Sequence, residues 1–153
     1  MSEHAFVPRN FEPPTALSTG EFRLEPLGPQ HNERDYAAWS SSMDHIRRSP
    51  GWNAHGGWPR EMSLDDNRGD LERHARDFLD RSGFTYTVLD RSDDVVGCVY
   101  VYPADDGVHD ARVRSWVRLS EAAQDGAVRR AVADWLTGDA WPFARPLYEP
   151  LLS

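Results

Sequence analysis

Between Phe84 and Pro103 the apolar and β-branched side chains gather into two runs, FTYTVLD and VVGCVYVYP, separated by the polar residues Arg91 to Asp94. Two such runs around a short polar turn predict a β-hairpin. ARVRSWVRL, from Ala111, predicts a further strand: Val113, Ser115, Val117 and Leu119 fall on one face, and Arg112, Arg114, Trp116 and Arg118 on the other. After Ser120 the period changes. Ala127, Val128, Ala131, Val132, Trp135 and Leu136 recur at intervals of three and four, an apolar stripe fit to cover a sheet, with Gly138 placed to close the helix.

Upstream, EFRLEPL (Glu21 to Leu27) predicts a first strand ended by Gly28-Pro29. A helix is expected from Asn32, with Tyr36, Trp39, Met43 and Ile46 on one face, running until Pro50-Gly51 stops it. Ser63 and Asp66 mark the start of a second helix, with Leu64, Leu71, Ala75, Phe78 and Leu79 inward and Gly83 as its C-cap. A short last strand is expected between Phe143 and Tyr148. Residues 1–20 carry Pro8, Pro13 and Pro14 without periodicity and read as an extended arm that docks through Phe6 and Phe11; residues 21–153 read as a single domain.

Composition narrows the function classes. A chain of 153 residues with 39% hydrophobic content supports one proper core. The formal net charge of −8 argues against a nucleic-acid partner, because neutralising phosphates needs clustered cations. All 17 basic residues are arginine, which excludes Schiff-base lysine chemistry and a P-loop lysine. No apolar run is long enough for a bilayer and the first residues lack the pattern of a signal peptide, so a cytoplasmic protein with no membrane partner is expected. The six histidines show no metal-ligand spacing, so no metal is expected, and the lone Cys98 reads as a buried, inert thiol. The loop from Pro50 to Arg60 combines Trp52, Trp58, three glycines and a histidine. It reads equally as a ligand-holding loop and as an aromatic plug between helices.

The order β-α-α-β-β-β-α-β, with FRLEPLGPQH opening the first strand, YTVLDRSDDVVGCVYVYP as the central hairpin around Gly97 and VRSWVRL leading into a helix, resembles the GCN5-related N-acetyltransferase (GNAT) superfamily. The resemblance covers Phe22 to Tyr148. It implies an α+β three-layer fold, a mixed and mostly antiparallel sheet flanked by helices, here truncated at the C-terminus. It also implies acetyl-CoA as cofactor, held by strand backbone and by a loop of the form Q/R-x-x-G-x-G/A. Val117, Arg118, Leu119, Gln124, Gly126 and Ala127 occupy the corresponding stretch, VRLSEAAQDGAV, in which only Gln124, Gly126 and Ala127 echo the motif. Glycines there let backbone N–H groups close on phosphates, and alanines with Asp125 weaken such a cradle.

For an active member the resemblance implies attack of a substrate amine on the thioester. His109 or Asp110 would then act as base through a water and Tyr148 as acid, while Trp52, Trp58, Tyr100 and Tyr102 line the side of a small-molecule amine. Each of these has a packing or turn-forming role as its alternative. Arg112, Arg114 and Arg118 are expected to pair with helix acids such as Asp35, Asp44, Asp66 and Asp70, or to surround an anion. Two functions compete: an acyl-CoA-dependent N-acetyltransferase of unidentified acceptor, and a catalytically silent domain that binds a small ligand or pairs with a second copy. A homodimer in which the arm crosses to its neighbour is the expected assembly.

Overall fold

The computed structural model describes residues 5–52 and 57–153. Six strands, β1 (Leu17–Ser18), β2 (Phe22–Pro26), β3 (Phe84–Asp90), β4 (Val95–Tyr102), β5 (Ala111–Val117) and β6 (Pro146–Leu147), lie in one sheet in sequential order. Neighbours are antiparallel except β5 and β6, which run parallel and pair only as Ala111 with Pro146 and Arg112 with Leu147. Helices α1 (Asn32–Ser40), α2 (Met43–Arg47) and α3 (Leu64–Asp80) precede β3, and α4 (Asp125–Leu136) follows β5.

Period two sends alternate side chains into two cores. Phe84, Tyr86, Val88, Val99, Val101, Val113 and Val117 join Val128, Val132 and Leu136 of α4 on one face. Cys98 and Trp116 join Ala38, Trp39, Ile46, Trp52 and Leu71 on the other. Gly97 lets β4 and β5 meet: a Cβ there would lie 2.0 Å from the Trp116 carbonyl oxygen.

Several sequence expectations are corrected. The single helix expected from Asn32 to Pro50 is broken, because the Ser41 hydroxyl donates to the carbonyls of Ala37 and Ala38 while the Ser42 hydroxyl accepts the Leu119 N–H at 2.8 Å. Ser63 does cap α3, accepting the Asp66 N–H at 3.0 Å. The left-handed residue that ends the helix is Arg81 (φ 65°), and Gly83 serves instead to pass the Tyr102 ring, 2.0 Å from where its Cβ would be. Leu79 is 80% exposed: Leu71 and Phe78 are two turns apart on one stripe, and the next residue rotates a further ~100° away. Gly138 follows the C-cap Thr137 and closes α4, its N–H donating to the Trp135 carbonyl at 3.3 Å, whereas only Pro146–Leu147 of the expected last strand pairs with the sheet.

The arm folds back onto its own domain. Val7 is buried, Phe6 stacks on Phe143 (5.4 Å between centroids), Phe11 packs on Trp141 (5.5 Å), and the Tyr86 hydroxyl donates to the Pro14 carbonyl at 2.6 Å. Its last residues, Leu17–Ser18, extend the sheet beside β2.

Candidate functional site

A cavity of about 460 Å³ opens between the β4–β5 face, α3 and the chain that follows α2, and is walled in part by Trp52, Trp58, Tyr100, Asp35, His74 and Arg114. All four aromatic residues expected on the amine side, Trp52, Trp58, Tyr100 and Tyr102, line it. Asn53, Ala54, His55 and Gly56 of the same loop lie outside the described residues.

The aromatic wall is held by directional bonds as well as by packing. The Trp52 indole N–H donates to the Ser115 carbonyl at 2.8 Å, and the Trp116 indole N–H donates to the Tyr100 hydroxyl at 3.0 Å. The Trp52 ring lies 5.3 Å from Trp58 and 5.4 Å from Tyr100, centroid to centroid. Burial pushes the Tyr100 hydroxyl well above the usual tyrosine range.

The polar wall comes from α1, α3 and β5. Asp35 is 4% exposed and accepts a hydrogen bond from the Asn67 amide at 3.1 Å; burial raises its pKa to about 7 against the pull of that bond. Asn67 is fixed in turn, donating to the Asn32 side-chain oxygen at 2.8 Å and accepting the Trp39 indole N–H at 3.1 Å. His74 Nδ1 sits 3.0 Å from both the Tyr102 hydroxyl and Thr85 Oγ1, and burial together with Arg73 lowers its pKa to about 4. It is a neutral imidazole at physiological pH. The Arg114 guanidinium lies over the Trp52 ring at 4.8 Å.

Asp44 and Asp70, expected opposite the arginine face, take partners on their own helices. Asp44 pairs with Arg47 and Asp70 with Arg73, each at 3.2 Å, and Arg118 lies 3.7 Å from Glu121. Among the described residues Arg114 has no carboxylate partner.

His109, Asp110 and Tyr148 are placed elsewhere, none of them on the cavity wall. His109 Nδ1 is 2.5 Å from Asp106, and the Asp110 carboxylate accepts the N–H groups of Ala144 and Arg145, clamping the turn before β6. Tyr148 is fully buried, its hydroxyl 2.6 Å from Ser115 Oγ, and burial raises its pKa to about 12. Asp35, Asn67, His74 and Arg60 of the cavity were not expected there. Part of that signal is present in the sequence: Asn67, Asp70 and His74 fall at intervals of three and four along α3, a polar line beside the apolar stripe of Leu71 and Phe78.

No family model and no curated protein matches this chain. Solved structures do. The microcin C7 self-immunity acetyltransferase MccE, in complex with acetyl-CoA and AMP, superposes with a TM-score of 0.63 at 16% identity, over 80% of this chain and 65% of that one. The chain has the GNAT fold. RimL, a ribosomal L7/L12 alpha-N-protein acetyltransferase, matches at a TM-score of 0.61 and 12% identity over 85% of this chain and 68% of its own. The ribosomal-protein-S5-alanine acetyltransferase from Vibrio fischeri matches at 0.60 and 14%, over 80% and 67%. The chain thus spans about two thirds of the length of these GNAT-fold neighbours.

The GNAT resemblance assigns acetyl-CoA to the cleft between β5 and the start of α4, and the residues there do not form a phosphate cradle. The connection Leu119–Gln124 is a 3₁₀ helix, and Gly126 lies in the first turn of α4. The N–H groups of Arg118, Leu119 and Glu121 are bound by the Val96 carbonyl, the Ser42 hydroxyl and the Arg118 carbonyl. Glu121 and Asp125 add two carboxylates to this segment, 3.7 Å from Arg118 and 2.9 Å from Arg129. Beside them Arg129, 5% exposed, donates to Asp125 (2.9 Å), the Glu149 carbonyl (2.9 Å) and the Ser115 carbonyl (3.3 Å). Ser115, on the β5 edge that diverges from β6, therefore has its carbonyl bound by two side chains of the protein itself. Val117, Arg118, Leu119, Gln124, Gly126 and Ala127 all lie in this segment.

Proposed function

We propose that the chain binds a small amine-bearing ligand in the Trp52, Trp58 and Tyr100 cavity, as the acceptor half of a GNAT-fold N-acetyltransferase. The observation that carries this reading is Asp35. A buried carboxylate with no cationic partner among the described residues faces a cavity walled by indole and phenol rings. An ammonium entering the cavity gains attraction from the ring faces and from the carboxylate, which its charge draws into the ionised form. Acyl-CoA-dependent N-acetylation of that amine is supported by the fold shared with enzymes described as acetyltransferases.

A second reading, a catalytically silent small-ligand-binding domain, is favoured by one observation: Trp52 and Arg129 occupy the Ser115 carbonyl, on the strand edge assigned to the donor. Calorimetric titration with tryptamine tests the amine site, and release of CoA thiol from acetyl-CoA in the presence of tryptamine tests transfer. Binding with thiol release above the protein-free rate supports the acetyltransferase. Binding without thiol release, and with no heat from acetyl-CoA alone, selects the silent domain. No binding of tryptamine overturns the amine site.

A further inference from the structure

The amine accounts for one wall of the cavity and leaves Arg114 unexplained. Arg114 projects from β5, half-buried, with its stem against Gly51, whose φ of 91° and missing Cβ (it would lie 3.3 Å from Arg114 Cγ) leave the arginine its path. Its guanidinium lies over the Trp52 ring at 4.8 Å, so one face is stacked and the N–H edges remain to be satisfied. Burial, and with it the positive charge of Arg112, disfavours the charged form of Arg114. A partly desolvated guanidinium in such surroundings is costly unless an anion meets it.

Where the cavity holds an acid and a base within reach, they pair: Asp70 and Arg73 are 3.2 Å apart. Asp35 and Arg114 are left over, on α1 and β5, one a carboxylate and one a guanidinium, without counter-ions among the described residues. We infer that the ligand is a zwitterion, an amino acid or short peptide whose ammonium meets Asp35, whose carboxylate meets Arg114, and whose flat apolar side chain lies among Trp52, Trp58 and Tyr100. The inference rests on the amine site proposed above. The planar fork of Arg114 matches a carboxylate bidentately, and Arg60 lines the same cavity as a second cation. About 460 Å³ suits a ligand of this size.

Three probes separate the two halves of the claim in calorimetric titrations of the full chain: free tryptophan, tryptamine without the carboxylate, and indole-3-propionate without the amine. Tryptophan is expected to bind about tenfold more tightly than either analogue. In Arg114→Gln the advantage over tryptamine should disappear; in Asp35→Asn the advantage over indole-3-propionate should disappear. Tryptamine binding as tightly as tryptophan to the unaltered protein overturns the zwitterion and leaves the amine site standing. A tryptophan-to-tryptamine ratio unchanged by Arg114→Gln does the same. If none of the three binds, the amine site fails together with the inference. The comparison of probes needs no variant, so it holds even where a substitution lowers folding yield.

Discussion

The indole N–H of Trp52 is bound to the carbonyl of Ser115 across 2.8 Å, joining the chain after α2 to the middle of β5. One contact thereby does two things. It fixes the aromatic wall of the cavity, and it occupies a strand carbonyl at the edge where β5 and β6 have diverged. Replacing Trp52 by Phe keeps an aromatic ring and removes the donor. A loss of about 1–2 kcal/mol is expected, since a buried carbonyl then keeps only the longer bond from Arg129. Urea denaturation measures it, and an unchanged midpoint would show the bond to be dispensable.

Arg129 and Arg114 should behave in opposite ways. Arg129→Ala leaves the Asp125 carboxylate and the Glu149 carbonyl without their donor inside the protein, while the Ser115 carbonyl keeps the Trp52 N–H, and should cost roughly 3 kcal/mol. Arg114→Ala removes a guanidinium that has no carboxylate partner among the described residues, and should cost under about 1 kcal/mol, as lost cation–π contact with Trp52. Thermal or denaturant melts of the two variants compare them directly. A larger loss for Arg114→Ala than for Arg129→Ala would mean that Arg114, not Arg129, carries the buried ion pair.

Gly97→Ala is expected to be the most damaging of the small substitutions. The added methyl carbon would stand 2.0 Å from the Trp116 carbonyl oxygen, which is backbone and cannot rotate away. Separating β4 from β5 breaks pairing at the centre of the sheet, with a cost above about 3 kcal/mol. Expression of soluble, cooperatively melting Gly97→Ala protein at the parental melting temperature would refute this.

Asp35 predicts a specific pH dependence. Its pKa lies near 3.8 when unfolded and about 7 when folded, so the folded state retains a proton that the unfolded state has released between those values. Stability contributed by the neutral carboxyl is complete below pH 3.8 and is lost as pH rises to 7, by on the order of 4 kcal/mol in all. Asp35→Asn has no such loss. Its stability relative to the parent should therefore rise from pH 5 to pH 8, with His74 titrating alike in both proteins and cancelling. Denaturant midpoints across that range check it; a constant difference would mean that Asp35 ionises normally.

Much of the fold was legible in the sequence because it rests on local periodicity. The hairpin from Phe84, the alternation of Val113, Ser115 and Val117 against Arg114 and Trp116, and the stripe of α4 follow from side-chain spacing alone, and β3, β4, β5 and α4 succeed one another along the chain as those segments predict. Ser63 was legible as a cap for the same reason. Where the helix from Asn32 breaks was not, since Ser41 turns back on its own helix while Ser42 reaches Leu119, 77 residues away. The sequence also pointed to Trp52 and Trp58, through the composition of their loop, and the family resemblance to Tyr100 and Tyr102 of the central hairpin. It could not show that Arg129 rather than Arg114 carries the buried ion pair, or that Asp35 and Arg114 face one cavity from different elements. Those relations join residues far apart in the chain, and only the packing of α1 against α3 and β4, with β5 paired beside β4, brings them together, leaving Asp35 and Arg114 without partners of their own among the described residues.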